Sequence, residues 1–198
     1  MNLEKYQQYS RIARGLEKAD LVLKDARIVN VFTEEIIRGD IAIQDGIIAG
    51  IGSFHGKEER DLAGRYVCPG FIDSHLHLES TLVTPAELVT VASRHGTTTF
   101  IVDPHESANV SGLAGIDYIL DQTEDVKANV YVMMPSCVPA TAIDDNGCTL
   151  TAEDMVPYLH NSRILGLGEV MDSISVVQGE KSMHDKLELF EGRIRDGH

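Results

Sequence analysis

Two histidines separated by one residue, His75 and His77, are the first feature of the sequence that could do chemistry. Alternate residues of a β-strand point to the same face, so at a strand end these two imidazoles can bind one metal ion. Glu169 can supply a carboxylate that bridges two metals, and His198 a further nitrogen. Imidazole with carboxylate suits Zn, Fe or Mn better than Ca or Mg. A single His-x-His pair more often has no metal role, and the repetition of such residues after successive strands is what favours a metal centre.

A second group of polar residues follows another apolar segment. Asp103, His105 and Glu106 come at the end of the predicted strand at residues 98–103. In a parallel α/β sheet or barrel the active site forms where the carboxyl ends of the strands meet, so we expect these side chains beside the histidine pair. Cys137 could be a nucleophile, but no general-base motif lies near it in the sequence, which favours a pocket-lining or structural role.

The elements that must position these residues are strands and helices in alternation. Five apolar segments predict strands, at residues 66–73, 98–103, 129–135, 163–169 and 193–198. The segments between them predict helices, one beginning at Thr84 and ending at Gly96, one at residues 113–124, one beginning at Thr151, and one at residues 181–191. Strands that are apolar throughout, and that are separated by helices, indicate a parallel sheet.

The N-terminal part of the sequence has a different texture. Apolar residues spaced along the polar segment at residues 2–17 predict an amphipathic helix. Residues 20–66 contain short β-rich runs and predict a small antiparallel module. Within it, Asp45-Gly46 predicts a hairpin, because both residues tolerate the positive φ of a type I′ turn, and Ala63-Gly64-Arg65 predicts another turn.

Composition excludes several classes of protein. The chain has 198 residues, 43% of them hydrophobic, which is enough for a packed core. Its net charge of -14 disfavours a nucleic-acid partner, which needs a basic surface. Its 3 cysteines share no CxxC spacing, so a disulfide scaffold is excluded and the cytoplasm is the expected compartment. The polar first 20 residues do not resemble a secretory signal, and no apolar run is long enough to span a membrane.

The segment CPGFIDSHLH at residues 68–77 resembles the first-strand signature of the amidohydrolase superfamily, in which PGFID-x-HxH delivers two metal ligands. The segments HLHLEST, DPHE, PSCVPAT, GLGEVM and DGH are most similar, within that superfamily, to the adenine deaminase subgroup. The resemblance implies an α/β fold, a (β/α)8 TIM-type barrel of which residues 67–198 supply about the first five βα units. It also implies that residues 19–66 are the N-terminal part of a small β-sandwich domain. The helix predicted from the spacing of apolar residues precedes this domain, at residues 1–18.

The resemblance also assigns metal ligands. His75 and His77 match the paired ligands of one metal, Glu169 the bridging ligand after the fourth strand, and His198 the ligand after the fifth. Relatives such as dihydroorotases have a carboxylated lysine at the position of Glu169, so its presence here counts against them. The implied cofactor is a binuclear centre of divalent ions, manganese or iron, with zinc as a third possibility.

The implied reaction is the hydrolytic deamination of adenine to hypoxanthine and ammonia in purine salvage, by a metal-activated hydroxide that attacks C6. We expect Asp103, His105 and Glu106 to be catalytic and Glu79 and Ser136 to bind substrate. The expected partner is the small molecule adenine, with no nucleic acid and no membrane, in a homo-oligomer, most simply a dimer.

Two alternatives stay open from the sequence. One is another superfamily hydrolase, such as N-acetylglucosamine-6-phosphate deacetylase, although few basic residues lie near the strand ends to hold a phosphate. The other is a non-catalytic, truncated barrel that acts as a binding module. Because a (β/α)8 barrel takes about 250 residues, we expect this chain to be the N-terminal part of a longer enzyme, and the activity of the isolated chain stays open.

Overall fold

A computed structural model describes residues 2–141 and 143–198 of the chain. The chain folds as two units, Met1–Pro69 and Gly70–His198. Every candidate site residue lies in the second of these units. Among the described residues, no helix is both long enough and apolar enough to cross a membrane.

The first unit is a helix followed by a five-stranded mixed sheet. Its elements are α1 (Leu3–Ala13), β1 (Ala19–Asn30), β2 (Glu35–Gln44), β3 (Ile47–Gly52), β4 (Gly56–Asp61) and β5 (Tyr66–Val67). The predicted N-terminal helix is confirmed, but it ends at Ala13. It ends there because Gly15 takes a left-handed φ of 70° and its N–H closes the last turn on the carbonyl of Ile12.

The strand directions of this unit differ in part from the prediction. The hairpin at Asp45-Gly46 is confirmed, since both residues have positive φ and join antiparallel β2 and β3. The prediction of a purely antiparallel module is wrong, because β4 and β5 both run parallel to β1. Ala63 and Gly64 also have positive φ, yet they kink the chain between β4 and β5 without reversing it. Turn residues in a sequence do not by themselves show whether the chain reverses.

The second unit is a five-stranded parallel sheet with helices between the strands, as predicted. Its strands are β6 (Phe71–Leu76), β7 (Thr97–Val102), β8 (Asn129–Met134), β9 (Ile164–Val170) and β10 (Ile194–Gly197), and they lie side by side in chain order. Its helices are α2 (Pro85–Ser93), α3 (His105–Ser111), α4 (Leu113–Gln122), α5 (Ala152–Met155), α6 (Ser173–Gln178) and α7 (Lys181–Leu189), with short 3-10 turns at Glu79–Thr81 and Val156–His160.

The core of this unit explains why its central strands, β8 and β9, are rich in apolar residues. The strand residues Phe100, Val132 and Leu167 are almost fully buried, and they belong to one cluster with Ile116 of α4 and Phe190 after α7. Helices therefore pack on the strands, and the polar candidate residues stand at or just after the carboxyl ends of the strands. This arrangement is what positions the candidate site.

The first predicted strand of this unit, residues 66–73, is wrong in its bounds. Tyr66–Val67 form β5, which pairs with β1 in the first unit, and β6 begins only at Phe71. Pro69 lies between the two strands and has no N–H to give to a ladder, so the pairing is interrupted there. As a consequence His75 lies inside β6 and His77 directly after it.

Candidate metal centre

Two histidine rings and one carboxylate converge at the carboxyl edge of the parallel sheet. The Nε2 atoms of His75 and His77 are 3.2 Å apart. Glu169, in β9, faces both rings: its Oε1 is 3.5 Å from His75 Nε2 and its Oε2 is 3.4 Å from His77 Nε2. The structure therefore brings these three predicted ligands together, with one donor atom of each within 4.8 Å of the others.

Hydrogen bonds on the outer side of each ring set its orientation. Nδ1 of His77 lies 2.6 Å from the backbone carbonyl oxygen of Asp103, and Nδ1 of His75 lies 3.3 Å from Oδ2 of Asp196. A carbonyl or carboxylate oxygen can only accept, so Nδ1 of each ring donates. In the neutral tautomer this leaves the lone pair on Nε2, directed at Glu169, which is the orientation that metal-binding histidines adopt.

The fourth predicted ligand, His198, approaches the same carboxylate. Its Nδ1 lies 2.7 Å from Oε1 of Glu169, at the end of β10. Burial by itself raises the pKa of Glu169, but the hydrogen bond from His198 and the charges of His75 and His77 outweigh it and lower that pKa. Burial likewise lowers the pKa of His77, but the nearby carboxylate of Glu106 and the Asp103 carbonyl outweigh it and raise the pKa. The site thus favours a negative carboxylate and a positive charge beside it.

These residues fit a divalent cation. Two neutral rings that direct their Nε2 lone pairs at each other across 3.2 Å repel unless a positive charge lies between them. Glu169 offers a separate oxygen to each ring, as a bridging carboxylate does. The donor set of imidazole nitrogens and one carboxylate is typical of Zn, Fe and Mn, and it offers too few oxygens for Ca.

Asp103 and His105 lie behind the ligands and are almost completely buried, with 1% and 5% of their surfaces exposed. Oδ2 of Asp103 accepts the backbone N–H of Glu169 at 2.8 Å. Its Oδ1 is 2.5 Å from Nδ1 of His105, but the angles are not those of a hydrogen bond, so each atom is left without a partner. Nε2 of His105 lies 3.5 Å from the backbone N–H of Cys137, which donates to it. The arrangement connects Asp103 to both His77 and Glu169.

Glu79 and Glu106 lie on the other side of His77. Oε2 of Glu106 is 3.4 Å from Nδ1 of His77, and the Glu106 side chain is 58% exposed. Oε1 of Glu79 accepts the backbone N–H groups of Glu106 and Ser107 at the start of α3, at 3.1 and 3.3 Å. Burial, together with the Glu106 carboxyl group, raises the pKa of Glu79 to about 7. The two residues line a cavity of about 560 Å³.

Ser136 and Cys137 follow β8 and are both buried. The Ser136 hydroxyl donates to the backbone carbonyl of Glu169 at 2.5 Å, and it also lies 3.1 Å from Sγ of Cys137. The prediction that Ser136 binds substrate stays a prediction. Cys137 accepts the backbone N–H of Asp172 at 3.4 Å, and this contact agrees with a structural role.

Sequence reasoning missed two residues at this site. Asp196 faces Nδ1 of His75. Asp196 lies two residues before His198 on a predicted strand, and residues two apart share a face. This spacing could have indicated that Asp196 faces the site. Gly168 lies against Asp103, and a Cβ atom there would come within 2.1 Å of Oδ2. No sequence pattern indicated that contact, because it joins two strands that are not neighbours in the chain.

Comparison with known proteins decides the family. The model of the amidohydrolase family matches residues 66–191, which include the histidine pair and Glu169. The chain belongs to the amidohydrolase family. The five parallel strands with their helices fit part of the TIM-type barrel of amidohydrolases.

Several curated amidohydrolase relatives cover nearly all of the chain. It is 57% identical over 198 residues to the adenine deaminase of Desulfitobacterium hafniense, and the match covers 100% of this chain and 35% of that protein. It is 48% identical over 187 residues to adenine deaminase 2 of Carboxydothermus hydrogenoformans, with 94% of this chain and 33% of that protein covered. The chain therefore spans about a third of the length of the curated relatives that it matches.

Among solved structures, this amidohydrolase chain is similar to atrazine chlorohydrolase from Arthrobacter aurescens in complex with zinc. The TM-score is 0.51 and the identity 15%, and the match covers 70% of this chain and 41% of that one. At this identity the likeness concerns the fold alone, and it agrees with a partial barrel.

Proposed function

We propose that the whole protein to which this chain belongs is an adenine deaminase, which hydrolyses adenine to hypoxanthine and ammonia. The observation that carries the proposal is the convergence of His75, His77 and Glu169 at a strand edge. This convergence occurs in a chain 42–57% identical to curated adenine deaminases. The alternative of a sugar-phosphate deacetylase lacks a comparable observation in its favour.

We propose that His75, His77, Glu169 and His198 hold a binuclear centre of manganese or iron. When bound, divalent ions of this kind lower the pKa of a water molecule and make hydroxide available near neutral pH. The protein's part is to orient both imidazoles with Nε2 toward the ion, which the outer contacts of Nδ1 to Asp103 and Asp196 favour. Glu169 keeps its negative charge because its pKa is lowered.

Glu106 is our candidate for proton transfer or for a contact to the leaving amino group. Of the three predicted catalytic residues it is the exposed one and lies beside a metal ligand, whereas Asp103 and His105 are buried behind the ligands. Substrate binding by Glu79 stays a prediction, because the cavity that it lines with Glu106 includes none of the four proposed metal ligands. Direct catalytic roles for Asp103 and His105 stay predictions, and their contacts support positioning of His77 and Glu169 instead.

The proposal also covers the N-terminal domain, the cellular compartment and the oligomeric state. We propose that residues 19–66 are the N-terminal part of a β-sandwich domain, which the mixed sheet of five strands supports. We propose that the protein works in the cytoplasm as a dimer, without nucleic-acid or membrane partners. The net charge of -14 supports the absence of a nucleic-acid partner. Sedimentation of the whole protein, with and without added DNA, tests the dimer and the absence of binding.

The decisive experiment assays the whole protein, loaded with Mn²⁺ or Fe²⁺, for hypoxanthine and ammonia formation from adenine. Its arms are the wild type, Glu169→Gln, and Glu188→Gln as a matched control at an exposed glutamate. We expect Glu169→Gln to lose metal and activity, and Glu188→Gln to keep both. A fully metal-loaded wild type without deaminase activity overturns the function. A Glu169→Gln variant with full metal content and activity overturns the ligand assignment.

A further inference from the structure

A buried lysine lies close to the metal centre without belonging to it. Lys186, in α7, has only 6% of its surface exposed. Its Nζ donates to the backbone carbonyl of Ser136 at 2.7 Å. Within the part of the chain that the structure describes, no carboxylate lies within 4 Å of that ammonium group. Lysine is rarely buried without a carboxylate partner, since desolvation of its charge is costly. Cys137 and Asp154 act on its charge, but its one hydrogen bond among the described residues goes to Ser136.

The residue that accepts this hydrogen bond holds the proposed bridging ligand. Ser136 is fully buried, and its hydroxyl donates to the backbone carbonyl of Glu169 at 2.5 Å. The backbone N–H of Glu169 is also held, because it donates to Oδ2 of Asp103 at 2.8 Å. Both backbone groups of Glu169 are therefore fixed by side chains that follow other strands, Ser136 after β8 and Asp103 after β7.

These side chains take over where the strand ladder ends. The last pair between β8 and β9 in the sheet register is Met134 with Leu167, two residues before Glu169. Beyond that pair, β8 no longer fixes the path of β9 through its backbone. Ser136, two residues after Met134, continues the link through its hydroxyl instead. A shift of Ser136 is thereby transmitted to Glu169.

We propose that Lys186 is a positioning residue, which fixes the bridging carboxylate of Glu169 by holding Ser136 in place. The ammonium group anchors the Ser136 carbonyl, and this anchor sets the direction of the hydroxyl on the same residue. Groups of this kind, which hold ligands without touching the metal, commonly change metal affinity by about 10- to 100-fold. The inference rests on the metal centre of the proposed function. It gives Lys186 and Ser136 the role of supporting that centre without binding metal.

The test measures Mn²⁺ affinity directly, without an activity assay. Metal-free whole protein is titrated with Mn²⁺, and free Mn²⁺ is followed by electron paramagnetic resonance. The variants are Lys186→Met, which keeps the length of the side chain, and Ser136→Ala, which removes only the hydroxyl. Lys181→Met is the control, because Lys181 lies on the same helix but is exposed and pairs with Asp185.

We expect Lys186→Met and Ser136→Ala each to weaken Mn²⁺ binding by about tenfold or more, and the control to change it by less than about twofold. The double variant should bind no more weakly than the worse single variant, because the two residues act in series. Wild-type affinity in both folded single variants, or fully additive losses, overturns the positioning role. If Lys186→Met does not fold, Ser136→Ala decides the outcome alone.

Two further measurements separate the possible failures. Urea unfolding of the metal-free variants shows whether stability alone has changed, since a purely structural role lowers stability and leaves the affinity of the folded protein unaltered. His77→Ala in the same titration tests the metal centre itself. A wild type that binds Mn²⁺ no better than His77→Ala overturns the proposed function, whereas intact wild-type binding with unaffected Lys186 and Ser136 variants overturns only the inference.

Discussion

The substitution Asp103→Asn gives the sharpest test of how the ligands are held. It keeps the shape of the side chain and removes its charge at a site with 1% exposure. One carboxylate oxygen accepts the Glu169 N–H at 2.8 Å, and the other lies 2.5 Å from Nδ1 of His105. Nε2 of His105 accepts from Cys137, so a neutral His105 carries its proton on Nδ1, toward Asp103.

The asparagine amide cannot satisfy both neighbours. With its oxygen on Glu169, its NH₂ group meets the Nδ1–H of His105, and after a flip the NH₂ group meets the Glu169 N–H instead. Either orientation sets a buried N–H against the amide NH₂ group in place of the carboxylate oxygen that now faces it, which costs about 1–3 kcal/mol. The remaining hydrogen bond also becomes neutral, which costs about 1 kcal/mol more. We therefore expect a loss of about 2–4 kcal/mol in unfolding free energy for the metal-free protein.

The Asp103→Asn variant should also bind metal more weakly, because Asp103 fixes the backbone of Glu169. We expect the Mn²⁺ dissociation constant of Asp103→Asn to rise about 10- to 100-fold. Urea unfolding and Mn²⁺ titration of the whole protein measure the two effects. Asp121→Asn, at an exposed position of α4, is the control and should change stability by less than about 0.5 kcal/mol. An Asp103→Asn protein with wild-type stability and wild-type Mn²⁺ affinity would refute this reasoning.

Three further predictions concern Gly168, the ion pair between Lys24 and Asp40, and removal of the metal. Gly168→Ala places a Cβ 2.1 Å from the Asp103 carboxylate, so Mn²⁺ binding should weaken by about tenfold or more. The control Gly52→Ala, whose new Cβ has its nearest contact at 3.4 Å, should bind Mn²⁺ normally. Equal Mn²⁺ affinities of the two variants in titration would contradict this prediction. Lys24→Met removes the ammonium that pairs at 2.5 Å with Asp40, which is 8% exposed, and should cost about 2 kcal/mol in urea unfolding at pH 7. The pKa of Asp40 is lowered in the fold. Its contribution to the unfolding free energy is therefore complete above its unfolded pKa, near 4, and is lost as pH falls through the lower folded pKa. A difference in unfolding free energy between variant and wild type that does not shrink in acid refutes the pairing. Chelation of the loaded protein should lower its melting temperature and Mn²⁺ should restore it, and an unchanged melting temperature would show that no metal stabilises the fold.

The convergence of His75, His77 and Glu169 could be predicted because it depends on simple periodicity. His75 and His77 are two residues apart on a strand, and parallel strands bring their carboxyl ends to one edge, where Glu169 also lies. The contacts behind the ligands could not be predicted. Asp103 holds His77 through a backbone carbonyl, which every residue type possesses, and holds Glu169 through its side chain. A sequence shows the residue type and not which of its groups is used.

Two other features depended on tertiary structure in the same way. The direction of β4 and β5 could not be predicted, since the kink at Ala63-Gly64 has the sequence of a reversing turn. The burial of Lys186 could not be predicted either, because it lies in a predicted helix whose polar residues suggest a solvated surface. Periodicity shows which faces of an element are apolar, but the depth of one long side chain depends on the elements packed around it.

The contact between His75 and Asp196 shows that the sheet is curved. These residues lie on the first and last strands of the parallel sheet, which are four spacings apart, or about 19 Å if the sheet were flat. Their side chains meet at 3.3 Å, so the two Cα atoms must lie within about 10 Å of each other. The sheet therefore bends until its edges approach. An ion held between β6 and β9 would act as a clamp on that bend, so metal affinity and sheet curvature are thermodynamically linked.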